Sequence, residues 1–104
     1  MQLKKQLSPR QAWIIHGFIG KTALAKQLLQ HGCYLSFGKA LLHRQQTRDS
    51  LAITPLDRLF LETDAAIDVS IGEIYAAAAK ILQLDIPTLQ RQIVANFERV
   101  FMHD

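Results

Sequence analysis

The chain has 104 residues, 49% hydrophobic and 20% charged, which sets one domain as the prior and excludes a disordered or low-complexity polypeptide. Its one cysteine, Cys33, excludes an intrachain disulfide and fits a reducing compartment. The net charge of +3 is unevenly held: residues 1–50 carry eight Lys/Arg against Asp49, giving +7, and residues 51–104 carry four against eight acidic residues, giving −4.

Residues 1–8 look like the tail of a helix. Ala12-Trp13-Ile14-Ile15 is a nearly continuous apolar run, the pattern of a strand buried on both faces in a parallel sheet. From Gly20 to His31, Leu24, Ala25, Leu28 and Leu29 fall on one helical face, and Gly32 is placed to end the helix. Cys33-Tyr34-Leu35-Ser36-Phe37 reads as a second strand. Residues 39–52 read as a weaker helix, followed by a turn at Thr54-Pro55. Arg58-Leu59-Phe60-Leu61 reads as a third, buried strand. From Ser70 to Leu84, a stripe of Ile71, Ile74, Tyr75, Ala78 and Leu82 predicts a helix, and Ser70 with Glu73 has capping-box spacing. From Pro87 to Phe101, the expected buried side is Leu89, Ile93, Phe97, Val100 and Phe101, and Pro87 suits a first helical turn. Strands alternating with helices imply βαβ units and a parallel sheet.

In a parallel barrel, chemistry gathers at the C-terminal ends of the strands. All three runs change character there: the first enters His16-Gly17-Phe18-Ile19-Gly20, the second Ser36-Phe37-Gly38, the third Glu62-Thr63-Asp64. Imidazole and carboxylate are suitable ligands for divalent ions. Each feature also has a plainer reading. A histidine after a strand is often a hydrogen-bonded structural residue. Glu62 and Asp64 can cap the helix that follows. Gly20-Lys21 can hold a phosphate on backbone N–H groups or simply form a tight turn. The basic half can attract phosphates or form solvated helix faces. His31, His43 and His103 lack ligand-like spacing, and Cys33 reads as a packing residue. No apolar run approaches the ~20 residues of a membrane span, and Met1 to Leu7 lacks a signal-peptide core. The expectation is a soluble cytoplasmic protein with no membrane partner.

Taken together, these segments resemble the last part of a TatD-family metal-dependent hydrolase. Trp13-Ile14-Ile15-His16-Gly17-Phe18-Ile19-Gly20-Lys21 resembles the family's sixth strand and its His-x-Phe-x-Gly turn. The stretch from Ala25 to Gly38 resembles the next helix and a seventh strand ending in Ser-Phe. Pro55-Leu56-Asp57-Arg58-Leu59-Phe60-Leu61-Glu62-Thr63-Asp64 is the most specific match, to the Pro-Leu-Asp-Arg-Leu-Leu-Leu-Glu-Thr-Asp signature of strand eight. Asn96-Phe97 and Val100-Phe101 are similar to a closing Asn-x-x-x-x-Phe helix.

The resemblance implies an α/β fold: residues 1–104 as one partial domain, the C-terminal part of a TIM-like (β/α)8 barrel from the tail of helix five through strands six to eight. It implies a divalent-metal-dependent hydrolase of deoxyribonuclease type, with zinc, magnesium or manganese as cofactor and nucleic acid or another phosphodiester as substrate. His16 would be a metal ligand. Asp64 would bind metal and orient the attacking water, and Glu62 would play a supporting role. The family's His-x-His on strand one, its bridging glutamate and its strand-five histidine have no counterpart here. Ile19 replaces a usual polar residue, and Ala65-Ala66 follow Asp64 where many members have proline. The expectation is therefore a chain inactive or weakly active without an N-terminal part, self-associating through an open barrel edge. The alternative is a non-catalytic remnant or interaction module.

Overall fold

The computed structural model describes residues 13–63 and 70–102. The expected helix tail over 1–8, Asp64 and His103 lie outside them. Three parallel strands form one sheet in the order β1-β2-β3: β1 (Ile14–Ile15), β2 (Tyr34–Phe37) and β3 (Leu59–Leu61). Ile14 pairs with Tyr34, Leu35 with Leu59 and Phe37 with Leu61. Helix α1 (Thr22–Gln30) crosses from β1 to β2, and α2 (Gln45–Ala52) lies between β2 and β3. Helices α3 (Ile71–Leu82) and α4 (Ile86–Phe101) follow. The expected βαβ alternation is the observed one.

The middle of the sheet is built from buried side chains, whereas Ile14 and Ile15 of β1, expected to be buried on both faces, and Leu61 of β3 are only partly buried. Leu35, Phe37 and Leu59 are fully buried, with Ala25 of α1, Ile74 and Ala78 of α3, and Leu89 of α4, and Leu28 of α1 is nearly so. Burying a Leu, Ile or Phe side chain contributes about 1.5–3 kcal/mol, so these central strands are held by packing as well as by their short ladders.

Local signals act as their chemistry requires. Gly32 takes φ 82° after α1, a conformation that favours glycine. Ser70 accepts from the Glu73 N–H while the Glu73 carboxylate accepts from the Ser70 N–H, a complete capping box. Asp85 caps α4 by accepting from the Thr88 N–H, and Pro87 stands in the first turn.

Three expectations need correction. Residues 39–52 do not form one helix: a 3-10 turn over Lys39–Leu42 precedes α2, and Arg44 between them is extended at φ −120°, ψ 122°. The Arg48 guanidinium donates to the Leu41 and Leu42 carbonyls, satisfying groups that a continuous helix would have bonded internally. Phe97 and Phe101 are not on the buried side of α4; they are 48% and 56% exposed, and the buried line is Leu89, Ile93 and Asn96. Leu24 and Ile71, counted in the core stripes of α1 and α3, are also exposed.

The N-terminal end of the sheet is a structural clamp. Arg58 donates to the Gly32 carbonyl at 3.1 Å and its guanidinium lies over the Tyr34 ring. Arg99 of α4 donates to the Tyr34 hydroxyl and to the Asp57 carbonyl. Asn96, fully buried, donates to the Leu56 and Leu59 carbonyls at 2.8 Å each. Much of the Pro-Leu-Asp-Arg segment and the closing Asn helix therefore serves to lock α4 to β3.

Candidate active site at the strand ends

The opposite end of the sheet carries the reactive side chains. His16 follows β1 and Glu62 follows β3, with β2 between them. Their side chains meet across that middle strand: His16 Nδ1 lies 2.7 Å from Glu62 Oε1. The second carboxylate oxygen of Glu62 accepts from the Gly17 N–H at 2.5 Å. One carboxylate thus fixes both an imidazole and the backbone beside it. Gly17 takes φ 60°, a left-handed conformation that turns its N–H toward Glu62 at little steric cost.

The loop from His16 to Lys21 is tied down on all sides. Phe18 is buried, donates its N–H to the Ser36 carbonyl at 2.9 Å and packs edge to face on Phe37. Gln46 donates to the Ile19 carbonyl and Ser50 to the Gly20 carbonyl, both from α2. At Gly20 an added Cβ would lie 2.9 Å from the Phe18 ring and from the Leu24 side chain, so a larger residue there would have to displace both. Gly38, at the end of β2, faces the Glu62 backbone closely: a Cβ there would lie 3.1 Å from the Glu62 carbonyl oxygen.

The two partners differ in exposure. The His16 side chain is 68% exposed and that of Glu62 only 17%. A neutral imidazole facing a carboxylate carries its proton on Nδ1, which leaves the Nε2 lone pair free on the solvent side. A carboxylate behind an imidazole is the arrangement that orients histidine as a metal donor.

The fit to a metal ion is therefore that of one prepared donor. Among the described residues, no group of three His, Cys, Asp or Glu side chains gathers to hold an ion. Asp64, expected as the second ligand, lies outside the described residues. His31 and His43 are exposed, and Cys33 is buried in the core. The family resemblance assigns Glu62 only a supporting role; its direct bond to His16 emerges from the fold. The signals that pointed there were the glycines Gly17 and Gly38 just past two strand ends.

A parallel β/α sheet with a histidine and a carboxylate joined above its strand ends is a segment of a TIM-like barrel, whose working rim is this one. The chain belongs to the TatD-related DNase family, whose family model matches residues 1–102. It is 37% identical over 67 residues to an uncharacterized metal-dependent hydrolase, YjjV, of Escherichia coli K12, which covers 62% of this chain and 26% of that protein. The crystal structure of YjjV, a TatD homolog, superposes with a TM-score of 0.82 at 24% identity, over 96% of this chain and 44% of that one. A TatD-family hydrolase of Entamoeba histolytica gives 0.82 at 16% identity, over 99% and 46%. An uncharacterized amidohydrolase of Saccharomyces cerevisiae gives 0.77 at 14% identity, over 96% and 45%. At these identities the superpositions establish the fold. The chain spans about a quarter of the length of the curated relative and under half of each solved chain. No helix among the described residues is long and apolar enough to cross a membrane.

Proposed function

We propose that this chain supplies the strand-six to strand-eight side of a divalent-metal-dependent phosphodiesterase acting on DNA, and that it is inactive until the remaining barrel strands are supplied. The observation that carries this reading is the His16–Glu62 bond between the ends of β1 and β3. Glu62 accepts the Nδ1 proton and holds the ring, and His16 Nε2 is the metal donor. Asp64, by family resemblance, is the second ligand and orients the attacking water. Lys21 and the basic first half of the chain attract the phosphodiester. When bound, a zinc, magnesium or manganese ion polarises the phosphoryl oxygen and lowers the pKa of bound water. One imidazole and one carboxylate leave an ion largely hydrated, so the isolated chain holds it weakly.

The test is a nuclease assay, chelated and metal-reloaded, on the isolated chain and on the chain joined to the unmatched part of a TatD relative. Only the joined chain should cleave DNA, and His16→Ala or Asp64→Ala should lower its rate by about a hundredfold, the upper end of what lost support of a metal ligand costs. Robust cleavage by the isolated chain would refute the incompleteness, and full activity in joined Asp64→Ala would refute its role. The second reading, a non-catalytic interaction module, draws on the lack of a three-ligand cluster among the described residues; a folded joined chain that binds no metal would favour it.

A further inference from the structure

We propose that Lys21, Lys39 and Arg44, together with Ile19, form a track on the His16 rim for one strand of nucleic acid, the three cations holding its phosphates and Ile19 covering the face of a base. The choice of a nucleic acid rests on the functional reading above; the track rests on the following observations.

The four residues stand on the two connections that follow β1 and β2. Lys39 comes directly after Gly38, which packs against the Glu62 backbone, and Glu62 holds His16. Ile19 and Lys21 continue the His16 loop. Arg44 stands just before α2, and two residues on, Gln46 donates to the Ile19 carbonyl at 2.7 Å. Ser50 of the same helix donates to the Gly20 carbonyl at 2.9 Å. The two connections are thus bonded to each other, and the backbone that carries the four residues keeps a fixed place beside His16.

The three cations take no part in holding the fold together. All are exposed, and among the described residues no carboxylate pairs with any of them and none of their side chains makes a hydrogen bond. Arg48, by contrast, is spent on the Leu41 and Leu42 carbonyls. Lys21 and Arg44 occupy the N-cap positions of α1 and α2 without a capping bond. A cation there opposes the helix dipole, whereas α3 and α4 begin on Ser70 and Asp85, which do cap. From His16 to Arg48 the sequence has no Asp or Glu, so nothing in that segment neutralises the three charges. A nucleic-acid backbone supplies anions at regular spacing, and such contacts hold and position a strand whatever its sequence.

Ile19 points to a strand with accessible bases. It is 48% exposed while its neighbour Phe18 is buried. An apolar side chain held in water gains by covering an apolar face, and a single strand offers base faces next to its own phosphates. In a duplex those faces are stacked on one another.

The test follows binding of a fluorescently labelled single-stranded oligodeoxynucleotide to the purified chain by anisotropy, in a chelating buffer at several salt concentrations. Three phosphate contacts on a single strand give a slope of log affinity against log salt of about −2, or about twentyfold weaker binding at 200 than at 50 mM. Lys21→Gln, Lys39→Gln and Arg44→Gln should each bring the slope to about −1.4. Lys80→Gln, in the last turn of α3, should leave it unchanged. Ile19→Ser should keep the slope, weaken binding by about threefold or more, and leave the binding of an abasic strand as it was. All these positions are exposed, so each variant should keep the circular dichroism of the parent; an Ile19→Ser that does not is replaced by Ile19→Ala. No binding, a slope that the three rim variants leave unchanged, or one that Lys80→Gln lowers equally, overturns the proposal. So does an abasic strand or a duplex that binds the parent as tightly as the ordinary strand. Because no metal is present and no bond is cut, failure here is separate from failure of the hydrolase reading, which is judged by cleavage.

Discussion

Replacing Asn96 should cost more stability than replacing any exposed residue of α4. Its amide donates to two backbone carbonyls, those of Leu56 and Leu59. Its oxygen accepts from Gln92 at 3.0 Å and from Arg99 at 3.0 Å. In Asn96→Leu the shape is nearly kept, but both carbonyls lose their donor. A buried acceptor left unsatisfied costs about 1–3 kcal/mol. The Leu59 carbonyl sits at a fully buried residue, whereas Leu56 is only half-buried and can recruit water. About 2 kcal/mol for the first and about 1 for the second gives about 3 kcal/mol in all. Against a typical domain stability of about 5–15 kcal/mol and a urea slope of about 1–3 kcal/mol per molar, the unfolding midpoint should fall by about 1–3 M at unchanged slope. Asn96→Asp is the control: it keeps an acceptor for Arg99 and Gln92 but has no N–H to give, so it should be at least as destabilised. If Asn96→Asp unfolds like the parent, the donors to β3 are not what holds α4, and the argument fails.

Gly38→Ala places a methyl 3.1 Å from the Glu62 carbonyl oxygen; overpacking against backbone should cost about 1–3 kcal/mol and shift the Gly17 amide resonance, because Glu62 is its acceptor. An unchanged Gly17 resonance would show that Gly38 does not set the position of Glu62. The hydrogen bonds from Thr88, side chain first and then backbone, hold the Asp85 carboxyl below its ordinary value of 3.8, aided by Arg91. A lowered folded pKa contributes stability above the unfolded value that is lost as pH falls through the folded one. Acid titration should therefore destabilise the parent more steeply below about pH 3.8 than Asp85→Asn; identical acid limbs would contradict the cap.

The strands and the starts of α3 and α4 were legible because they depend on neighbours in sequence, and the parallel order because strands alternate with helices along the chain. Continuous apolar runs mark the strands, of which β2 is fully buried and β1 only partly, the Ser70–Glu73 box marks the start of α3, and Pro87 the first turn of α4. The position of His16 at a strand end was legible for the same reason. The pairing of His16 with Glu62 was not: 46 residues separate them, and only the register of three strands brings them to one rim. Nor did periodicity tell Phe97 and Phe101 from Leu89 and Ile93. All are apolar and within one broad stripe, and which part of that stripe faces inward is decided by Asn96, a polar residue that no hydrophobic pattern counts as core. Its two bonds to backbone carbonyls fix the rotation of α4 against β3. Sequence patterns record how often a residue recurs on a face, whereas the tertiary structure decides which face meets the rest of the chain, because buried backbone groups must find partners wherever the fold places them.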